Sequence, residues 1–123
     1  MSVVVRDDGF HAEDYTGDKA LDIGSDTKPQ ALPDFVGVEL ISIAFPAFSD
    51  GRGFTLARHL RSNGYTGRLR AKGHVIADQY AMARRSGFDE VEISDELAQR
   101  QPADQWIFRA DWRANDYRSR MRT

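Results

Sequence analysis

The sequence predicts an α/β fold, a single small domain of repeated βαβ units with a mainly parallel sheet in a half-barrel or flavodoxin-like arrangement. Two observations support this prediction. Between residues 37 and 102, short runs of β-branched and apolar residues alternate with segments of helical periodicity, which is typical of βαβ units. The chain has 123 residues, close to the most common size of one domain.

Each predicted strand is a short apolar run or an alternating one, and each predicted helix repeats its apolar residues with the helical period. Glycines and a capping side chain mark the helix ends, since Gly64 and Gly87 end helices and Ser94 caps one. The predicted order is a strand at 38–45, a helix at 53–63, a strand at 67–72, a helix at 74–86, a strand at 88–93 and a helix from 95 to about 100.

The two ends of the chain give weaker signals. Residues 1–36 are acidic and contain two prolines, which disfavour a helix, so we expect an irregular N-terminal segment or a short hairpin. Residues 37–102 form the predicted βαβαβα core. Residues 103–123 are expected to pack on the core as a helix or an extended arm. This tail carries aromatic side chains among arginines: Trp106, Phe108, Trp112 and Tyr117.

Charge is distributed unevenly along the chain, although the net charge is only −2. Residues 1–50 carry 3 basic and 10 acidic side chains, whereas residues 51–87 carry 8 basic and 1 acidic. Arginine outnumbers lysine 14 to 3, and arginine suits bidentate recognition of carboxylate, phosphate or sulfate. The basic segment therefore either pairs with acidic segments inside the molecule or binds an external anion.

Composition excludes several classes of site. The chain has no cysteine, so disulfides, thiolate nucleophiles and cysteine-ligated iron–sulfur or zinc sites are excluded. The three histidines lie far apart without ligand-like spacing, and we predict no metal site. No apolar run approaches the ~20 residues of a membrane span, and the N-terminus lacks the pattern of a signal peptide. We therefore expect a cytoplasmic protein.

Three cations share one face of the predicted 67–72 strand, because side chains alternate along a strand. They are Arg68, Arg70 and Lys72. Cations are not buried unpaired under helices, so this strand lies at an edge, faces solvent or carries paired charges. Glu90 and Glu92 have the same spacing and offer a cross-strand ion-pair ladder. An open half-barrel face that binds an anion is the alternative.

The loop after the 38–45 strand is the first candidate ligand site, since ligands of open α/β sheets lie at the carboxyl ends of the strands. It leads into a helix N-terminus, where free N–H groups favour an anion. Gly51 and Gly53 would let the backbone approach a ligand closely, with Arg52 between them. Alternatively, Asp50 caps the helix and the glycines only permit the turn.

The start of the 74–86 helix is the second candidate site. His74 follows the second predicted strand, so its position suits a general base, with a surface or capping role as the alternative. Gln79 falls at the centre of the apolar helical stripe and Asp78 at its edge. Leaving a buried polar group unsatisfied costs on the order of 1–3 kcal/mol. Gln79 is therefore either a clamp to the backbone of a neighbouring loop or a ligand-orienting amide.

These features define one site hypothesis, in which residues near the carboxyl ends of the first two predicted strands converge. The candidate catalytic residues are His74, Asp78 and Asp50. The candidate ligand-binding residues are Asp50, Gly51, Arg52, Gly53, Arg70 and Gln79.

Residues 45–89 contain a series of motifs that resembles a known bacterial family. The pieces are FPAFSDGRG at 45–53, ARHLR at 57–61, GRLRAKG at 67–73, DQ at 78–79 and RRSGFD at 84–89. In this order and spacing they resemble domain of unknown function family 934. Members of that family usually carry an acidic residue where this chain has Arg68, Asp where it has His74, and often Cys where it has Ser86.

The resemblance implies a pathway rather than a reaction. Members of the family are commonly encoded beside sulfite reductase and sulfate-assimilation genes, and are often labelled oxidoreductases of sulfite reduction. We therefore expect an accessory protein of assimilatory sulfite or sulfate reduction, binding an anionic ligand or the sulfite reductase system. A small oxidoreductase using a flavin or nicotinamide is one alternative, and a nucleic-acid-binding protein is another. An incomplete sheet also predicts self-association.

Overall fold

The computed structural model describes residues 2–110. Within this range the strands are β1 (Ser2–Arg6), β2 (Gly9–His11), β3 (Ala20–Gly24), β4 (Leu40–Phe45), β5 (Arg68–Gly73) and β6 (Glu90–Ser94). The helices are α1 (Arg52–Ser62), α2 (Tyr80–Ser86), α3 (Asp95–Arg100) and α4 (Ala103–Arg109), with short 3-10 turns at Pro29–Ala31 and Ala77–Gln79. The strands form one sheet in the order β2-β1-β6-β5-β4-β3.

Four strands of the sheet, β3 to β6, are parallel and lie side by side in chain order. β1 pairs antiparallel with both β6 and β2. Because each right-handed crossover steps in the same direction, the connecting helices lie on one face of the sheet. The predicted α/β fold with a mainly parallel sheet is thus confirmed. Helices on a single face distinguish this sheet from the doubly wound, flavodoxin-like alternative.

The helix-covered face of the sheet is apolar. In register across the central strands, Ile41 lies beside Leu69, and Ala71 lies between Ile43 and Val91. All five side chains belong to one buried cluster that also contains residues of α1 and α2. The polar alternation of β5 and β6 turns their charged side chains to the opposite face, called the helix-free face below.

The N-terminal region contributes three of the six described strands. It begins with a hairpin of β1 and β2. The prediction of an irregular segment is wrong at residues 20–24, which form β3 in parallel with β4. Only Leu21 and Ile23 are large apolar residues in this strand, while Asp22 and Gly24 favour turns. Pairing with β4, a tertiary contact, decides its structure.

Residues 12–19, here called the strap, connect β2 at one edge of the sheet to β3 at the opposite edge. These edges are five strand spacings apart, which is about 24 Å. The backbone from His11 to Ala20 spans about 30 Å when extended. Hydrogen bonds from Arg6 and Arg68 to Asp14 place the strap across the helix-free face.

The C-terminal segment folds against the core as far as the structure describes it. Trp106 of α4 is fully buried. Its indole N–H donates to the carbonyl of Gln101 at 2.9 Å, and its ring stands edge-on to Tyr80 at 6.0 Å between centroids. The predicted tail residues Trp112 and Tyr117 lie outside the described residues.

Within residues 2–110, the helices are too short or too polar to cross a membrane.

Candidate functional site

An ion-pair network, here called the central cluster, occupies the middle of the helix-free face. It joins side chains of β1, β5, β6 and the strap: Arg6, Glu13, Asp14, Arg68, Arg70, Glu90 and Glu92. Across the strands, Arg70 Nε donates to Glu90 at 2.6 Å and Arg68 donates to the same carboxylate at 2.9 Å. The predicted cross-strand ladder is therefore present for Arg68 and Arg70.

Arg70 is the most enclosed cation of the central cluster. Its side chain is 3% exposed, and that of Glu90 is 2% exposed. Burial by itself would lower the pKa of Arg70, but the hydrogen bonds from its guanidinium to Glu13 and Glu90 outweigh burial and raise it. Within residues 2–110, every buried side-chain nitrogen and oxygen has a hydrogen-bond partner. Arg70 thus serves an internal ion pair here rather than the predicted ligand site.

Lys72 differs from the other two cations of β5. It is exposed on the helix-free face and forms no ion pair with the part of the chain that the structure describes. It lies beside Ala44 of β4, in a shallow depression of about 380 Å³ that Ser42 also lines. The strap leaves this carboxyl-end part of the face uncovered.

The loop between β4 and α1 holds an ion pair of its own. Asp50 accepts hydrogen bonds from Arg52 Nε at 3.0 Å and from the Ser25 hydroxyl at 2.8 Å. The Arg52 guanidinium, with the Ser25 hydroxyl second, holds the pKa of Asp50 well below its ordinary value. Asp50 also accepts from the backbone N–H of Arg52 at 3.1 Å. It therefore helps to cap α1, although the N-cap residue is Gly51.

The two glycines of this loop have different surroundings. Gly51 is exposed, and a Cβ added there would meet nothing within 4 Å. Gly53 is buried, and an added Cβ would lie 2.4 Å from the Phe45 ring. Gly53 therefore lets α1 pack closely on β4, and its close approach is to the core rather than to a ligand.

Gln79 joins the two candidate loops. Its Nε2 donates to the carbonyl of Phe48 at 2.7 Å, and its Oε1 accepts from the N–H of Ile76 at 3.0 Å. These contacts match the backbone clamp offered as one of its two roles. Asp78 is directed elsewhere, since it pairs with Arg109 of α4 at 2.8 Å and is 72% exposed.

His74 lies at the same junction. Its backbone N–H donates to the carbonyl of Phe45 at 3.1 Å, and its Nδ1 is 3.2 Å from that oxygen. A carbonyl oxygen only accepts, so Nδ1 carries the proton, and in the neutral ring Nε2 is left as an acceptor. The His74 ring stands edge-on to Phe48, with 5.6 Å between centroids.

A cleft of about 300 Å³ opens beside His74 at the carboxyl edge of the sheet. It is called the carboxyl-edge cleft, and its lining comes from the last residues of β5 and β6 and from the segments that follow β4, β5 and β6: Phe48, Gly73, His74, Ser94, Glu96, Leu97 and Arg100. The Ser94 hydroxyl accepts from the N–H of Leu97 at 3.2 Å, which leaves its own hydrogen to donate. Arg100 pairs with Glu96, and both side chains are 71% exposed.

Comparison with protein families identifies the family of this chain. The model for a bacterial protein of unknown function (DUF934) matches residues 20–118, which is most of the chain. The chain belongs to the DUF934 family. Comparisons with curated proteins and with solved structures find no match.

Two motif segments of this DUF934 protein meet in the structure although about thirty residues separate them. The loop within FPAFSDGRG and the segment from Gly73 to Gln79 are held together by the Gln79 amide on Phe48 and by His74 on Phe45. These two segments therefore build one wall of the carboxyl-edge cleft.

The structure brings together only part of the predicted site. Asp50 and Arg52 form one pair, and His74 and Gln79 meet the adjoining loop. Arg70 lies within the helix-free face and Asp78 pairs with Arg109, so the candidates do not all converge on one site. The sequence reasoning missed Ser94 and Arg100. The parallel order of β5 and β6 could have indicated them, because it brings the ends of both strands to one edge.

Within residues 2–110, no group of three His, Asp or Glu side chains is arranged to hold a metal ion.

Proposed function

We propose that this DUF934 protein is a cytoplasmic accessory protein of assimilatory sulfite or sulfate reduction that binds a small oxyanion in the carboxyl-edge cleft. The observation that carries this proposal is the position of His74. Its Nδ1 is fixed on the Phe45 carbonyl, so Nε2 is the ring nitrogen available to a ligand. The resemblance of the motifs supplies the pathway.

The lining of the carboxyl-edge cleft suits an oxyanion. The Ser94 hydroxyl can donate a hydrogen bond, Arg100 supplies a guanidinium, and Nε2 of His74 can accept from a protonated oxyanion such as bisulfite. Arg100 would exchange its exposed partner Glu96 for the ligand at little cost, because exposed ion pairs contribute about 0–1 kcal/mol. The cleft volume, about 300 Å³, lies at the lower end of ligand sites, which run from about 300 to 1,000 Å³. A small anion fits this volume better than a dinucleotide.

Thermal-shift measurements test this proposal. The panel contains sulfite, sulfate, adenylylated sulfate nucleotides, flavins and reduced nicotinamides. A ligand at a hundred times its Kd stabilises the fold by about 2.7 kcal/mol, which is a shift of several degrees for a domain of this size. We expect a shift with a sulfur oxyanion that is lost in His74→Ala and Arg100→Ala. Arg58→Ala is the matched control, since Arg58 is exposed on α1.

Other results would contradict the proposal in distinguishable ways. A shift that survives both cleft variants would place the ligand elsewhere. A shift with flavin or nicotinamide, together with a coloured purified protein, would favour the oxidoreductase alternative. Salt-dependent retention on DNA would favour the nucleic-acid alternative. If no ligand of the panel shifts the melting temperature but a sulfite reductase subunit co-purifies, the pathway assignment would stand and the oxyanion site would be ruled out.

A further inference from the structure

The strap is held to the sheet mainly by side chains. Glu13 accepts hydrogen bonds from Arg70, one of them at 3.0 Å, and Asp14 accepts from Arg6 at 2.8 Å and from Arg68 at 3.0 Å. Between residues 12 and 19, a single backbone-to-backbone hydrogen bond reaches the rest of the described chain, from the Glu39 N–H to the Lys19 carbonyl. Segments with few backbone bonds to their surroundings open at low free-energy cost.

The charges of the central cluster depend on the strap. With the strap in place, three arginines face four carboxylates, a balance of −1. Glu13 and Asp14 are the two carboxylates that come from the strap, and their side chains are 43% and 53% exposed. Without them, three arginines face only Glu90 and Glu92, a balance of +1. The strap therefore acts as a built-in acidic ligand for this surface.

We propose that the helix-free face is a recognition surface for an extended acidic segment of a partner protein, and that the strap occupies this surface until the partner displaces it. The partner segment supplies two adjacent carboxylates in place of Glu13 and Asp14. The arginines they reach are Arg6, Arg68 and Arg70.

The length of the strap allows only an extended partner segment to bind between the strap and the sheet. With its ends about 24 Å apart and a contour of about 30 Å, the middle of the strap can rise by at most about 9 Å. A helix with its side chains is about 10–12 Å across, so it does not fit under a lifted strap. A single extended chain does fit, because neighbouring extended chains lie about 5 Å apart.

Because the strap is part of the same chain, a partner segment must compete with it for the arginines. A short tether gives a segment an effective concentration in the millimolar range, so an external peptide competes poorly with the native strap. Glu13→Gln and Asp14→Asn leave the arginines in place and remove the two strap carboxylates that compete with the peptide for them. The double variant is therefore expected to bind an acidic peptide more tightly than the native chain.

Fluorescence anisotropy with a labelled peptide tests this inference on the full chain. The probe is FHAEDYTGDKA, residues 10–20 of the chain itself, and FHAQNYTGDKA is its neutralised counterpart. We expect E13Q/D14N to bind the acidic probe at least tenfold more tightly than the native chain does. The control D18N/D26N removes two exposed acidic charges outside the cluster and should behave as the native chain. Arg68→Gln in the native chain should bind the acidic probe more weakly than the native chain does.

Hydrogen exchange supplies an independent readout in the native chain. Saturating acidic peptide should speed exchange of the three amides whose hydrogen bonds depend on the seated strap, Tyr15, Lys19 and Glu39, and leave those of β4 and β5 unchanged. Equal affinity of both chains for the probe, equal binding of the neutralised peptide, or peptide binding without faster strap exchange would each overturn the inference. So would dimerisation of E13Q/D14N, which would make a second copy the occupant. His74→Ala should leave peptide binding unchanged, so failure here is distinct from failure of the oxyanion cleft.

Discussion

Both faces of the sheet contain side chains that solvent barely reaches, but their chemistry is opposite. On the helix-covered face, Ile43 and Leu69 are fully buried in an apolar cluster. On the helix-free face, Arg70 and Glu90 are nearly as deeply buried, and they are charged. An apolar side chain is stabilised by leaving water, whereas a buried charge is tolerated only with partners. On one face the cost of a substitution is therefore set by packing, while on the other it is set by the pairing of charges.

The largest effect that distinguishes the faces is expected from Arg70→Ala. This change leaves Glu90 buried without its closest partner, and breaking a buried pair typically costs about 3–5 kcal/mol. Urea denaturation measures the loss as a change in the free energy of unfolding. The double variant R70M/E90L removes both charges and should lose less than the single variant does. A double variant as destabilised as the single would mean that the loss of the pair itself dominates, and not the burial of a carboxylate that keeps only Arg6 and Arg68.

On the helix-covered face, Gly53→Ala is the next strongest test. The new Cβ would overlap the Phe45 ring at 2.4 Å, and overpacking of this kind costs about 1–3 kcal/mol. Gly51→Ala is the matched control, because its Cβ would meet nothing within 4 Å, and we expect a change within about 0.5 kcal/mol. Thermal unfolding of the two variants compares them directly. Equal stability would show that α1 shifts freely on β4.

The same two faces show how far the sequence alone predicts this molecule. The strands near 38–45, 67–72 and 88–93 follow from local periodicity, and the spacing of Glu90 and Glu92 indicated the ladder. The strap and β3 could not be predicted, because their structure depends on pairing with distant segments rather than on local pattern. The ladder contact of Arg70 with Glu90 was one of the two roles left open for it, whereas its second partner, Glu13, lies 57 residues away and leaves no local signal.

The smallest expected effect is a pH dependence confined to the helix-free face. The hydrogen bond from Arg6, helped by one from Arg68, outweighs desolvation and lowers the pKa of Asp14 to about 2. The hydrogen bond from Arg70 lowers the pKa of Glu13. A carboxyl with a lowered pKa stabilises the fold above its ordinary pKa of about 4, and that contribution disappears as the pH falls from about 4 to 2. E13Q/D14N lacks this contribution.

Thermal unfolding from pH 7 to pH 2 measures this dependence. The native chain should be more stable than E13Q/D14N at pH 7, and the difference should shrink below about pH 4. A difference that stays constant down to pH 2 would contradict the ion-pair account of the strap.

The pairing of β1 with β6 also bears on how the molecule is made. Ser2 lies opposite Ser94, so β1 leaves the ribosome well before its partner strand β6 is synthesised. An isolated two-stranded hairpin is only marginally stable in water. The β1–β2 hairpin is therefore only marginally stable until β6 has been synthesised. The β4-α1-β5 unit closes through shorter loops and can assemble first. Chain growth thus favours a sequence of events in which the N-terminal hairpin docks last and draws the strap over a sheet already formed.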